Sequence, residues 1–157
     1  MQVARRSDPE VASEQRRGDF VISTDRDRLN VDLIHDFLTN SYWAKGITRE
    51  IVVRSIEHSL CFGIYEHEAQ VGFARVISDC ATFAYIGDVF VLEPQRGRGL
   101  SKWLMECIVQ HPALQNLRRW VLLTRDAHQL YAKYGFTPLN APERYMELHR
   151  PNVYQTR

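Results

Sequence analysis

The sequence predicts an α+β fold in which an antiparallel strand meander leads, through one helical crossover, into a parallel strand. Three observations carry this. Residues 60–65 and 71–77 are apolar runs on either side of a polar turn, a β-hairpin pattern, and Phe83–Val91 supplies a third strand. After the turn Gly97-Arg98-Gly99, residues Leu100, Trp103, Leu104, Cys107 and Ile108 fall at i, i+3, i+4, i+7 and i+8, the period of an amphipathic helix. Residues 119–124 are a buried-type strand reached after that helix, so it is expected to run parallel to Phe83–Val91.

The remaining elements follow in order. Residues 1–18 are polar and charged, with no apolar stretch, and are expected as a flexible tail; 19–157 are expected as a single domain. Phe20–Ser23 is a short first strand. Asn30 is placed to cap a helix over 31–39, with Val31, Ile34 and Leu38 on one face. Residues 40–46 form a loop rich in aromatic and polar groups. Thr48 is placed to cap a second helix to about residue 58, although Ile51-Val52-Val53 is equally a strand pattern. Asp79 begins the turn before the third strand. His111-Pro112 ends the crossover helix. Asp126 is expected to cap a helix over 127–134, closed by Gly135. Residues 136–138 and 145–149 are expected as final strands, the last exposed and available to pair across a homodimer.

Composition excludes several functions. The 20 Lys+Arg nearly balance the 19 Asp+Glu, and no basic stripe interleaves with aromatics, so no nucleic-acid partner is expected. No run approaches transmembrane length, and no membrane partner is expected. Cys61, Cys80 and Cys107 are odd in number and widely spaced, which suits reduced thiols in the cytoplasm rather than disulfides or zinc. His58, His67, His128 and His149 lack ligand spacing, so no metal is expected.

The chemistry concentrates at the glycine turn. A helix N-terminus preceded by Gly97 and Gly99 presents free N–H groups and a positive dipole end, which suits a phosphate or pyrophosphate. Arg96, Arg98 and Lys102 add positive charge. The turn lacks the third glycine of a dinucleotide fingerprint, and there is no Gly-Lys-Ser/Thr phosphate loop.

Two blocks resemble a known family. Residues 91–102 are similar to the Arg-x-x-Gly-x-Gly/Ala acetyl-CoA signature of GNAT-type N-acetyltransferases, and Leu130-Tyr131-Ala-Lys-Tyr-Gly135-Phe136 is similar to the family's Leu-Tyr-x-x-x-Gly-Phe. The last small residue of the signature is Ser101, and Thr124 stands where the family often has Asn. The resemblance implies a mostly antiparallel central sheet with a splayed parallel strand pair and helices on both faces. It implies acetyl-CoA as cosubstrate, bound by Val89, Phe90 and Val91 of the strand, by Arg96, Gly97, Arg98, Gly99, Leu100, Ser101 and Lys102 of the turn, and by Thr124. It implies Tyr131 as the acid that protonates the departing thiolate. Asp88, or Tyr85 nearby, is a candidate for receiving the amine's proton, and a water chain is the alternative. The first two helices should cover the acceptor end, which places Tyr42 and Trp43, with Tyr85, at a small-molecule or peptide amine. The expected activity is amine acetylation by direct transfer. A non-catalytic acyl-CoA sensor on the same fold is the alternative.

Overall fold

A computed structural model describes residues 12–155. Six strands form one sheet in sequential order: β1 (Glu14–Arg17), β2 (Phe20–Ser23), β3 (Leu60–Glu66), β4 (Ala69–Ser78), β5 (Phe83–Val91) and β6 (Arg119–Leu122). Every neighbouring pair is antiparallel except β5–β6, which is parallel as expected for strands joined by a helical crossover. The crossover is α3 (Leu100–Gln110); α1 (Val31–Thr39) and α2 (Arg49–Glu57) precede the hairpin, and α4 (His128–Ala132) follows β6.

The sheet separates two cores. Phe62, Ile64, Val76 and Ile86 meet Leu100, Trp103, Leu104, Met105 and Ile108 of α3 on one face. Cys61, Phe73 and Phe90 meet Ile34 and Leu38 of α1 and Val52 and Ile56 of α2 on the other. Side-chain alternation along β3 sends successive residues to opposite layers. The Ile51-Val52-Val53 run is helical because Val52 and Ile56, one turn apart, bury one face. Thr48 caps that helix by accepting from the Ile51 amide, and Asn30 caps α1 by accepting from the Leu33 amide.

Four expectations need correction. The tail expected over 1–18 includes β1, which returns through a Gly18-Asp19 turn to pair with β2; residues 1–11 lie outside the described residues. All four β1 side chains are exposed, so no apolar alternation marks it. Backbone pairing holds it, together with Arg17, which lies 2.7 Å from Glu106 and 5.2 Å from the Trp103 ring centroid on α3. Residues 136–138 and 145–149 join no ladder; Pro138 and Pro142, which lack an N–H, break this stretch. The last paired strand ends at Leu122 rather than at 124. The helix expected over 127–134 is the shorter α4: Thr124, not Asp126, accepts the Ala127 amide, at 3.0 Å. Among the described residues no helix is long and apolar enough to cross a membrane.

Candidate active site

The parallel pair opens partway along. β5 and β6 are in register from Phe83↔Arg119 to Ile86↔Leu122, where β6 ends, while β5 continues to Val91. Among the described residues, 87–91 therefore have β4 on one side and no strand on the other. On the β4 side the register moves from Phe73↔Phe90 to Arg75↔Gly87, so β5 carries one extra residue. Asp88 absorbs it with φ 54°, a left-handed value that Asp tolerates better than most residues. Such a bulge bends and twists its strand, which favours separation from β6. The Phe90 ring stacks on Phe37 at 3.9 Å, and Val91 lies in the α3 core with Val89 packed against it. With those side chains engaged, the backbone is what this stretch offers a ligand.

Past β5 the chain turns through Gly97 (φ 80°) and Gly99 (φ 76°) into α3. These angles favour glycine, and a Cβ at either position would face open space. The first α3 bond to leave the turn runs from the Trp103 amide to the Gly99 carbonyl, at 3.1 Å. Among the described residues the amides of Gly97, Arg98, Gly99, Leu100, Ser101 and Lys102 have no acceptor. Consecutive free amides at a helix N-terminus make an anion cradle. The Leu100 side chain is buried below it.

The turn's cations sit differently from one another. Arg96 folds back, its Nε donating to the Val91 carbonyl at 2.9 Å, and so ties the turn to β5. Arg98 lies 3.7 Å from Glu66 and 5.9 Å from the Phe20 ring centroid. Lys102 accepts the Tyr134 hydroxyl at its carbonyl, at 2.8 Å. Its side chain lies beside Lys133, whose ammonium is held below the usual lysine range by hydrogen bonding to Lys102 and by its charge. Lys133 is invisible to motif reading, because it occupies an unspecified position of the Leu-Tyr-x-x-x-Gly-Phe block.

At the other end lies Tyr131 of α4. It is buried against Phe136, its pKa is raised by burial and secondarily by nearby Tyr42, and its hydroxyl has no hydrogen-bond partner among the described residues. Asp88 is doubly engaged: Oδ1 accepts Trp43 Nε1 at 2.9 Å and Oδ2 accepts Arg75 Nε at 2.8 Å, with its side chain 11% exposed. Arg75 also donates to Ser59 Oγ at 3.1 Å. Tyr85 is half-buried, and burial raises its pKa, reinforced by Asp88 and opposed by Arg75. Tyr42 meets Trp43 edge-on at 5.1 Å and lies under the Arg125 guanidinium at 4.0 Å. The 40–46 loop is thus fastened to the β5 bulge by Trp43 and to the segment after β6 by Tyr42. Thr124, expected at the cofactor, has its hydroxyl on the Ala127 amide. Arg75 and Arg125 were missed because neither belongs to a motif.

A family model described as the acetyltransferase (GNAT) domain matches residues 57–138, which include the open stretch of β5, the glycine turn and Tyr131. The chain belongs to the GNAT acetyltransferase family. A candidate acetyltransferase of Gibberella zeae is 33% identical over 140 residues, covering 74% of this chain and 78% of its own. The crystal structure of a candidate GNAT acetyltransferase from Xanthomonas campestris pv. campestris is 54% identical, covers 87% of this chain and 97% of that one, and gives a TM-score of 0.86. A Clostridium acetobutylicum structure described as an acetyltransferase with acetyl-CoA shares the fold, with a TM-score of 0.60 at 16% identity over 83% of this chain and 94% of that one. The GNAT match stops short of Tyr42 and Trp43. Of the residues expected to meet the acceptor, Tyr85 therefore lies inside the stretch that defines the family, and Tyr42 and Trp43 lie outside it.

Proposed function

We propose that this GNAT protein transfers the acetyl group of acetyl-CoA to a primary amine of a small molecule or protein, directly, within a ternary complex. The observation that carries this reading is the run of free amides from Gly97 to Lys102 beside the open edge of β5. A pyrophosphate matches that cradle in charge and in its demand for donors. Lys102, Lys133 and Arg98 add positive charge around it. The backbone of residues 87–91 fits an amide-bearing arm as an added strand.

When bound, acetyl-CoA supplies a thioester, whose acetyl group is the unit transferred. The chain's own residues do the rest. Tyr131 holds a proton at its hydroxyl for the departing sulfur, and burial keeps that phenol protonated at neutral pH. Asp88 receives the amine's proton through a water, because Trp43 and Arg75 already hold its two oxygens; Tyr85, a phenol that burial keeps protonated, orients that water instead of taking the proton. Tyr42 and Trp43 form the acceptor wall. Three free cysteines suit a reducing cytoplasm.

One observation favours the second reading, an acyl-CoA sensor: both Asp88 oxygens already accept a protein hydrogen bond, which makes this carboxylate a weaker base. A thiol-release assay with acetyl-CoA over small amines, amino acids and N-terminal peptides separates the two. Amine-dependent release accompanied by an acetylated amine is expected. Saturable acetyl-CoA binding with no release above hydrolysis on any amine would support the sensor.

A further inference from the structure

Beside the proposed acceptor wall stands a cation whose N–H groups are unspent. Arg125 lies just past the end of β6, and its guanidinium sits 4.0 Å from the centre of the Tyr42 ring. A guanidinium stacked on a ring gives the ring its flat face, and its N–H edge stays open to an acceptor lying in its own plane. Among the described residues no hydrogen bond and no ion pair uses that edge, not even one to Asp126, the next residue.

Its position is tied to the groups that flank the transfer. Tyr42 meets Trp43 edge-on at 5.1 Å, and Trp43 donates to Asp88. Tyr42 also lies near enough to Tyr131 to act on that phenol. Arg125 is thus one ring away from both ends of the proton path. Arg75, in contrast, is spent on Asp88 and Ser59. With Arg75 and Asp88 cancelling each other, Arg125 is the charge left unbalanced along this chain of contacts. The surface beside it is apolar and open: Tyr42 is 59% exposed, Trp43 41% and Leu123, on the same segment, 76%.

We infer that Arg125 recognises a carboxylate on the acceptor, so that the amine acetylated is that of a free amino acid with an apolar side chain. This rests on the transfer reading above and names its substrate class. A carboxylate takes the guanidinium edge as a bidentate pair, which fixes orientation as well as affinity. Held there, the molecule turns its amine toward Tyr131 and Asp88 and lays its side chain on the Tyr42–Trp43 wall. The amine nitrogen then bonds the acetyl carbon and the carbon–sulfur bond breaks. The amine's proton passes through water to Asp88, and the thiolate takes the Tyr131 proton. An amine without a carboxylate leaves the fork unpaired, and a polyamine sets a second cation against Arg125, so both are disfavoured.

Calorimetric titration of leucine, leucinamide, phenylalanine and phenylalaninamide into the protein with saturating CoA tests this without turnover. Each amino acid is expected to bind about 10–100-fold tighter than its carboxamide, the worth of a charge-assisted pair. In Arg125→Gln that ratio is expected to fall to near unity. A side chain that only propped Tyr42 would weaken both ligands alike and leave the ratio unmoved. Equal binding of acid and amide by the wild type, binding of neither, or a wild-type ratio in folded Arg125→Gln would overturn the inference. Should that variant not fold, Arg125→Lys, which keeps the charge but not the fork, must still lower the ratio, and an unchanged ratio would overturn it. Selective binding of the amino acids with no thiol released on any amine would uphold the carboxylate site and sink the transfer reading alone.

Discussion

At Asp88 a strained backbone, an ion pair and a loop contact coincide. A non-glycine residue in the left-handed region costs about 1–3 kcal/mol. The pair with Arg75, whose side chain is only 18% exposed, and the Trp43 indole bond offset that cost. Asp88→Asn retains size and left-handed tolerance but leaves Arg75 without its counter-charge. It is expected to lower stability by about 1–3 kcal/mol in chemical denaturation. An unchanged midpoint would show that the pair is dispensable. Trp43→Phe removes the N–H, along with part of the indole ring, and frees the loop from the bulge; the acceptor KM should rise while acetyl-CoA affinity stays within twofold. Tyr131→Phe keeps the ring and removes the proton, so kcat and kcat/KM should fall together by about 10²–10⁴, with melting temperature unmoved. Full kcat where chemistry limits the rate would make Tyr131 a packing residue. Cys61 gives a pH signature. Burial pushes its thiol up to about 12 from an ordinary 9.0. Between those values the unfolded chain releases a proton that the folded chain keeps, so stability falls as pH rises. Cys61→Ala should flatten that decline, and an equal slope in wild type and variant would remove Cys61 as its cause.

Among the elements, the meander and α3 were legible because each has a strong, uninterrupted period. α3 buries Leu100, Trp103, Leu104 and Ile108 on the stripe that the sequence shows. β1 was not legible, because all of its side chains face solvent and backbone pairing holds it. Residues 145–149 carry a strand's alternation, but they were misread: they join no ladder among the described residues. The N-terminus of α4 was misread because its N-cap is Ala127, which makes no side-chain capping bond; Thr124 instead accepts the Ala127 amide and closes the turn before the helix. The glycine turn shows both what a motif carries and where it ends. It marks Gly97 and Gly99, whose φ values favour glycine, but not the Lys133 side chain beside Lys102. Gly99→Ala keeps the space open and should cost on the order of 1 kcal/mol through its φ alone. Gly99→Asp adds a negative charge beside the amide cradle and should abolish detectable CoA binding. Wild-type CoA stabilisation of that variant would put the pyrophosphate elsewhere.

Across the whole molecule, the slot comes from two long-range facts: β6 stops at Leu122, and β5 carries an extra residue opposite β4. Neither is a local sequence signal, so the sequence supplied the slot only through family resemblance. The acceptor wall is less legible still, because the bond from Trp43 to Asp88 joins residues 45 positions apart and lies partly outside the family-defining stretch. The amides of residues 97–102 are the most direct reporters of function, being free in the protein alone. Hydrogen exchange with and without saturating acetyl-CoA reads them individually. Slowed exchange at 97–102 together with 87–91, and little change on α1 or β1, is the expected result. Bound acetyl-CoA that left those amides exchanging at their free rates and protected another surface would contradict a cofactor held at this turn.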